Sequence, residues 1–351
     1  MAKRIEWIDF GKGLTMVLVV LGHVLLGLYG TGLYSNNQEY FMRYIMGILY
    51  STHMPIFFAI SGFVYSLRNN HLKAQELLVF NIRKLIGLGI PYVLFSIVYW
   101  GLKAVGKGTA RVSIPFSSLL EIYKSPIEIL WFLYTLFFVF LFVSVLDSLI
   151  INPNVVMLIL IIGFLSVTFF PTNIVCIQQT FMWTLFFYFG KQLHLHFKLI
   201  TSNMTRWLSG AFVVVFMIFR IFIPAKGITG VNYANLGIVQ VLISLCIVVF
   251  AFSVFESQKT DTAFFKYFDK IGPITITIYL IHAPFESVFR ILLLKFGIVN
   301  LGIQIALGLI VSFYFAIACD FIIERVSFLK FLFYPTKFLT AKRLNHFFFQ
   351  K

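Results

Sequence analysis

Apolar runs of about 20 residues, the length that crosses a bilayer as an α-helix rising 1.5 Å per residue, recur along this chain between clusters of charge, Pro, Gly and Asn. The pattern predicts about ten of them, at approximately 11–30, 41–66, 85–103, 128–149, 154–171, 174–190, 207–224, 235–255, 271–294 and 299–319. The weakest division falls at Pro171, Thr172 and Asn173, read as a tight turn between two short spans, which leaves nine or eleven open. The expected fold class is therefore all-α, a polytopic membrane helix bundle. Residues 1–320 form the expected transmembrane domain. Residues 321–351 form a basic tail in which Phe and Leu alternate with Lys and Arg, as in a helix lying on the inner leaflet.

Composition agrees with this pattern. Apolar residues make up 60% of the 351 and charged residues 12%, against about 25% charged in an ordinary soluble domain. A net charge of +15 would suggest a polyanionic partner in a soluble protein. In a membrane protein, excess Lys and Arg instead gathers on the cytoplasmic side. Ten spans with the N-terminus inside make both termini cytoplasmic and put most of the 28 Lys and Arg on that side. The expected partner is membrane lipid, not nucleic acid. The outer loop 104–127 and its flank dissent with Lys103, Lys107, Arg111 and Lys124. They read as a solvated loop, with guidance of an anionic acceptor as the alternative.

Met1–Arg4 resembles the basic start of a signal peptide, but Lys12 and His23 interrupt the apolar run and no small-residue cleavage pattern follows, so the first helix is read as retained. Cys176, Cys246 and Cys319 are widely spaced packing residues. They show no metal-ligand spacing, and no metal is expected.

Ionisable groups inside spans are costly to bury and mark function more often than they do in water. The first span carries Lys12 near its inner end and His23 eleven residues on, about 16 Å along one helix. The second carries His53, followed by Pro55, which frees backbone carbonyls and can bend the helix towards a cavity, and by Ser61. The ninth carries His282, Glu286 and Arg290 at i, i+4 and i+8, a base, an acid and a cation on one helical face. Such a line suits proton handling. A histidine takes a hydroxyl proton, and a carboxylate on one ring nitrogen fixes the tautomer. Convergence of the three histidines requires the first, second and ninth spans to pack together. The bland readings are interhelical hydrogen bonds for His53 and His282, anchoring for Arg43 and Arg220, and a helix cap for Asp9.

At these residues the chain resembles the acyltransferase-3 family of integral membrane acyltransferases, whose signature is Arg or Lys, ten residues, then His. Here that is Lys12-x10-His23, within Ile8-Asp9-Phe10-Gly11-Lys12-Gly13 and Val19-Val20-Leu21-Gly22-His23. His53-Met54-Pro55-Ile56-Phe57-Phe58, Ser61-Gly62-Phe63, Arg83-Lys84 leading to Pro91-Tyr92, Trp131-Phe132-Leu133 and Tyr279-Leu280-Ile281-His282 follow in family order. Lys12-Gly13 replaces the commoner Arg-Gly, a form similar to fucose or exopolysaccharide O-acetyltransferase-like members. Lysine keeps the charge but loses bidentate geometry.

The resemblance implies acetyl-CoA as cytoplasmic acyl donor, a carbohydrate hydroxyl as acceptor, and residence in the bacterial cytoplasmic membrane. The reading of the residues fits this implication, with His23, His282 and Glu286 expected as catalytic residues, Lys12, Arg83 and Lys84 as cations for the donor phosphates, and His53 and Ser61 towards the substrate. Two other classes stay open: a proton-coupled transporter or flippase of a polysaccharide precursor or small solute, and a subunit channelling acetyl groups to a separate enzyme. Homo-oligomerisation is also open.

Overall fold

A computed structural model describes residues 4–68, 72–105, 115–222, 232–340 and 343–344. Lys107 and Arg111 of the expected outer loop, the side chain of Arg220, and Lys342 with 345–351 of the expected tail lie outside the described residues. Among the described residues the regular structure is helical and no strand occurs.

Fourteen α-helices are described: α1 Glu6–Leu28, α2 Asn36–Ser66, α3 Ala74–Val105, α4 Phe116–Leu120, α5 Trp131–Leu149, α6 Pro153–Phe169, α7 Val175–Leu195, α8 Phe197–Thr201, α9 Asn203–Phe222, α10 Ile238–Glu256, α11 Ala263–Ile271, α12 Thr275–Lys295, α13 Leu301–Arg325 and α14 Ser327–Phe333. Seven segments are long and apolar enough to cross a membrane: α1, α2, α3, Glu128–Leu149, α10, Ala263–Lys295 and α13. Each expected run overlaps a helix. However, α6 and the apolar stretch Asn203–Phe219 are shorter, and α7 carries Gln178, Gln179, Lys191 and Gln192 among its apolar residues.

Local chemistry sets the helix ends. The turn after α1 uses Gly30 and Gly32 at positive φ, +68° and +74°, where a Cβ would be strained. The Glu39 carboxylate accepts from the Gly30 N–H at 3.0 Å. Ser35 and Gln38 then form a capping box at the start of α2, satisfying two orphan N–H groups. Asn152 caps α6 ahead of Pro153, and Thr262 caps α11.

The chain forms two compact units. The first comprises Met1–Arg68 and Phe186–Asp320. Here α1 packs on α2, α10, α11 and α12. Phe10 stacks on Phe265, centroids 4.9 Å apart, within a core that includes Ile56, Phe63 and Phe252. Glycines set two close crossings. A Cβ on Gly13 would lie 2.3 Å from the Phe268 carbonyl oxygen, and one on Gly272 would lie 2.3 Å from that of Asp9. Likewise Gly62 meets the Phe187 carbonyl and Gly190 that of Ala59, at 1.7 and 1.9 Å. Side chains at these positions would hold the helices apart.

The second unit comprises Asn69–Leu185 and Phe321–Lys351. In it α3 packs on α5 and α14. Asn81 Nδ2 donates to Ser144 Oγ at 3.1 Å. The Tyr92 and Tyr134 hydroxyls donate to the carbonyls of Ile122 and Tyr123. The segment expected as a surface-lying tail begins as the end of α13, running through Cys319 to Arg325, and continues as the short α14. Phe333 of α14 is buried against Phe95, while Glu324 pairs with Lys330 and Lys337.

Candidate active site

The first unit brings the three histidines expected from the sequence into one interior cluster. His23 on α1 lies beside His282 on α12, ring centroids 5.1 Å apart. Tyr50 on α2 is 6.4 Å from His23 and 5.0 Å from His53. His282 and His53 are buried, at 0% and 2% exposure, and His23 is partly buried. Gly22 makes this convergence sterically possible: its missing Cβ would already touch Tyr50 Cε2 at 3.2 Å and His53 Cε1 at 3.7 Å. A larger residue before His23 would press α1 away from both rings.

Pro55 accounts for the local shape of α2. Its ring has no N–H, so the carbonyl four residues earlier, on Ser51, loses its helical donor. Ser244 Oγ of α10 donates to that carbonyl at 2.9 Å, and Gln240 Nε2 donates to Ser244 Oγ at 3.2 Å. The adjacent Tyr50 carbonyl accepts from the Tyr233 hydroxyl at 2.7 Å. Tyr233 Oη also sits 3.3 Å from His53 Nε2. The carbonyl freed by Pro55 thus binds α10, and the carbonyl before it binds the segment preceding α10.

His282 has a defined tautomer in its neutral form. Nδ1 lies 2.8 Å from the Ile278 carbonyl oxygen. A carbonyl only accepts, so Nδ1 bears the proton and Nε2 is left with a lone pair. Nε2 is buried without a hydrogen-bond partner. The tautomer is therefore set by a backbone carbonyl, where the sequence pointed to a carboxylate. Glu286, one turn on, is 3.3 Å from Arg290 Nε. Both lie over Gly27, whose Cβ would be 2.8 Å from Glu286 Oε1 and 3.0 Å from Arg290 Nε. Along α1, Gly27 is one turn beyond His23, so the ion pair borders the cluster.

The remaining expected site residues are placed differently. Lys12 Nζ is 3.0 Å from Asp9 Oδ1, and its side chain is 28% exposed. Asp9 Oδ2 also holds Arg4 at 2.8 Å, and Arg4 bonds Asp269 at 2.9 Å. Asp9 is thus the hub of an ion-pair network at the start of α1, where sequence alone suggested a cap. Ser61 Oγ donates to the Phe57 carbonyl of its own helix at 2.9 Å. Arg83 and Lys84 belong to the second unit, where Lys84 Nζ sits 3.6 Å over the Phe140 ring.

Three cluster residues were not singled out from the sequence. Tyr50 had a usable signal, being three residues before His53 and so on the same helical face. Tyr233 and Ser244 had none, because the partners of a proline-freed carbonyl are fixed only by tertiary packing.

Comparison with known proteins places these residues in a wider setting. The family model described as an acyltransferase domain matches residues 5–321. A 147-residue stretch, 40% of the chain, is 27% identical to 35% of the nodulation protein NolL of Mesorhizobium japonicum. A 58-residue stretch, 16% of the chain, is 40% identical to 15% of the NolL of Sinorhizobium fredii. The chain thus matches about a third or less of the length of these curated relatives. No solved structure matches.

Proposed function

Since the chain belongs to the acyltransferase family whose model matches residues 5–321, a family of membrane acyltransferases, we propose that it is an O-acetyltransferase of the bacterial cytoplasmic membrane. In this reading an acetyl group passes from acetyl-CoA on the cytoplasmic side to a hydroxyl of a surface polysaccharide or its lipid-linked sugar precursor. The observation that carries it is the packing of His23 against His282 at 5.1 Å in the interior of the first unit, on the same helix as Lys12 and about 16 Å from it.

His23 acts as general base, taking the acceptor's hydroxyl proton as that oxygen attacks the thioester carbonyl. The lone pair of His282 Nε2 accepts a hydrogen bond from a second hydroxyl of the sugar and orients the acceptor. Glu286, held by Arg290, provides a fixed negative charge next to the imidazolium that forms. Lys12 attracts the donor's phosphates while Asp9 holds its ammonium in place. His53 lines the acceptor side, and ten spans with both termini cytoplasmic give donor and acceptor opposite entrances. Lipid surrounds the bundle.

The test is surface-polysaccharide O-acetylation in cells carrying His23→Ala at matched protein level. A drop to the level of cells lacking the protein is expected; undiminished acetylation would remove the proposal.

A further inference from the structure

The catalytic cluster holds one buried hydroxyl that the reading above leaves unused. Tyr50 is 6% exposed, and its Oη has no hydrogen-bond partner among the described residues. Burying such a group unpaired is unfavourable, and native interiors rarely leave it so unless a ligand or water completes it. The ring is fixed on several sides: His53 at 5.0 Å, Tyr233 at 5.4 Å, His23 at 6.4 Å and the surface of Gly22. Its backbone is fixed as well, through the Tyr233 hydroxyl on its carbonyl.

The neighbouring polar groups have the wrong hydrogen-bonding sense to serve in its place. His282 Nε2 is an acceptor, because Nδ1 gives its proton to Ile278. The Tyr233 hydroxyl hydrogen is committed to the Tyr50 carbonyl, and His53 Nε2 faces the Tyr233 oxygen. Among the histidine and tyrosine side chains just named, the hydroxyl of Tyr50 is the donor that remains beside His23.

We propose that Tyr50 is a catalytic residue of the acyl transfer, its hydroxyl donating to the carbonyl oxygen of the acyl thioester as negative charge develops there. The inference rests on the acyltransferase reading. The acceptor oxygen bonds to the carbonyl carbon while its proton passes to His23, and the carbonyl π pair moves onto the oxygen that Tyr50 holds. Collapse re-forms the C=O bond and breaks the C–S bond, and the thiolate leaves with the proton from His23. Tyr50 keeps its own proton throughout, so its contribution is a hydrogen bond that strengthens in the transition state.

The experiment uses the full-length protein in lipid nanodiscs, with acetyl-CoA and alkali-deacetylated surface polysaccharide from the cell that makes the protein. Wild type, Tyr50→Phe, and a protein with 2,3-difluorotyrosine at position 50 are compared. Loss of one oxyanion donor predicts that Tyr50→Phe lowers kcat by about a hundredfold or more, with the KM for acetyl-CoA little changed. The more acidic fluorinated phenol, a stronger donor, keeps or raises kcat. A packing role would not track phenol acidity. Should Tyr50→Phe fail to accumulate, the fluorotyrosine arm decides. Transfer by wild type with Tyr50→Phe within threefold of it, or a rate indifferent to fluorination, overturns the role of Tyr50 and leaves acyl transfer standing. No transfer by wild type overturns both.

Discussion

The crossing of α2 and α7 at Gly62 and Gly190 gives the sharpest test of how the first unit is held together. In Gly62→Ala the added methyl carbon would be 1.7 Å from the Phe187 carbonyl oxygen and 2.6 Å from its carbon. Close carbon–oxygen contacts come to about 3.3 Å, so the two backbones must part by roughly 1.6 Å. Backbone atoms of two helices meet here, and no rotamer change relieves the clash. Parting neighbours by even 0.5–1 Å forfeits about a quarter to a half of each dispersion contact. The penalty therefore falls at or above the top of the usual overpacking range, about 3 kcal/mol. Alanine's better helix propensity returns about 1 kcal/mol. The net cost is about 2 kcal/mol or more, a factor of about 30 in the folded ratio. Gly101 on α3 is the control, since a Cβ there meets nothing within 4 Å. Gly101→Ala should be neutral or stabilising by up to about 1 kcal/mol. The assay is the fraction of detergent-solubilised fluorescent fusion that survives heating. Gly62→Ala melting with or above wild type, or Gly101→Ala falling equally far, would refute the reasoning.

Ser244→Ala removes the donor to the proline-freed Ser51 carbonyl and should cost about 1–3 kcal/mol in the same assay. Pairing it with Pro55→Ala, which restores a helical N–H for that carbonyl, should shrink the loss, and strict additivity of the two changes would disprove the assignment. Lys12→Ala should raise the KM for acetyl-CoA with a smaller effect on kcat, as expected for a group that binds ground and transition states alike. An unchanged KM would take Lys12 out of the donor site.

The parts of this molecule legible in the sequence are those written in local periodicity. Apolar runs gave the helices, and the ten residues between Lys12 and His23 put both on α1. Pro55 marked where α2 would release a carbonyl. The missing parts depend on where two helices come closest. Gly13, Gly22 and Gly62 read as motif letters beside charged or polar neighbours, yet each fills a steric role, admitting a carbonyl or a ring where a Cβ would stand. Ser61-Gly62-Phe63 illustrates this: Ser61 spends its hydroxyl on its own helix, Gly62 admits α7, and Phe63 packs in the core.

Tyr233 reaches Tyr50 and His53 across 183 and 180 residues of sequence, a distance over which no helical period carries information. The two levels are coupled physically. A proline defect alone leaves α2 with an unsatisfied carbonyl in an apolar interior, which is costly unless another element supplies a donor. Ser244 supplies one to Ser51, and Tyr233 caps the next carbonyl back. The same two hydroxyls thereby fix the rotation of α2 that turns the Tyr50 ring towards His23. A defect legible in one segment thus became a site only through partners that another segment brought.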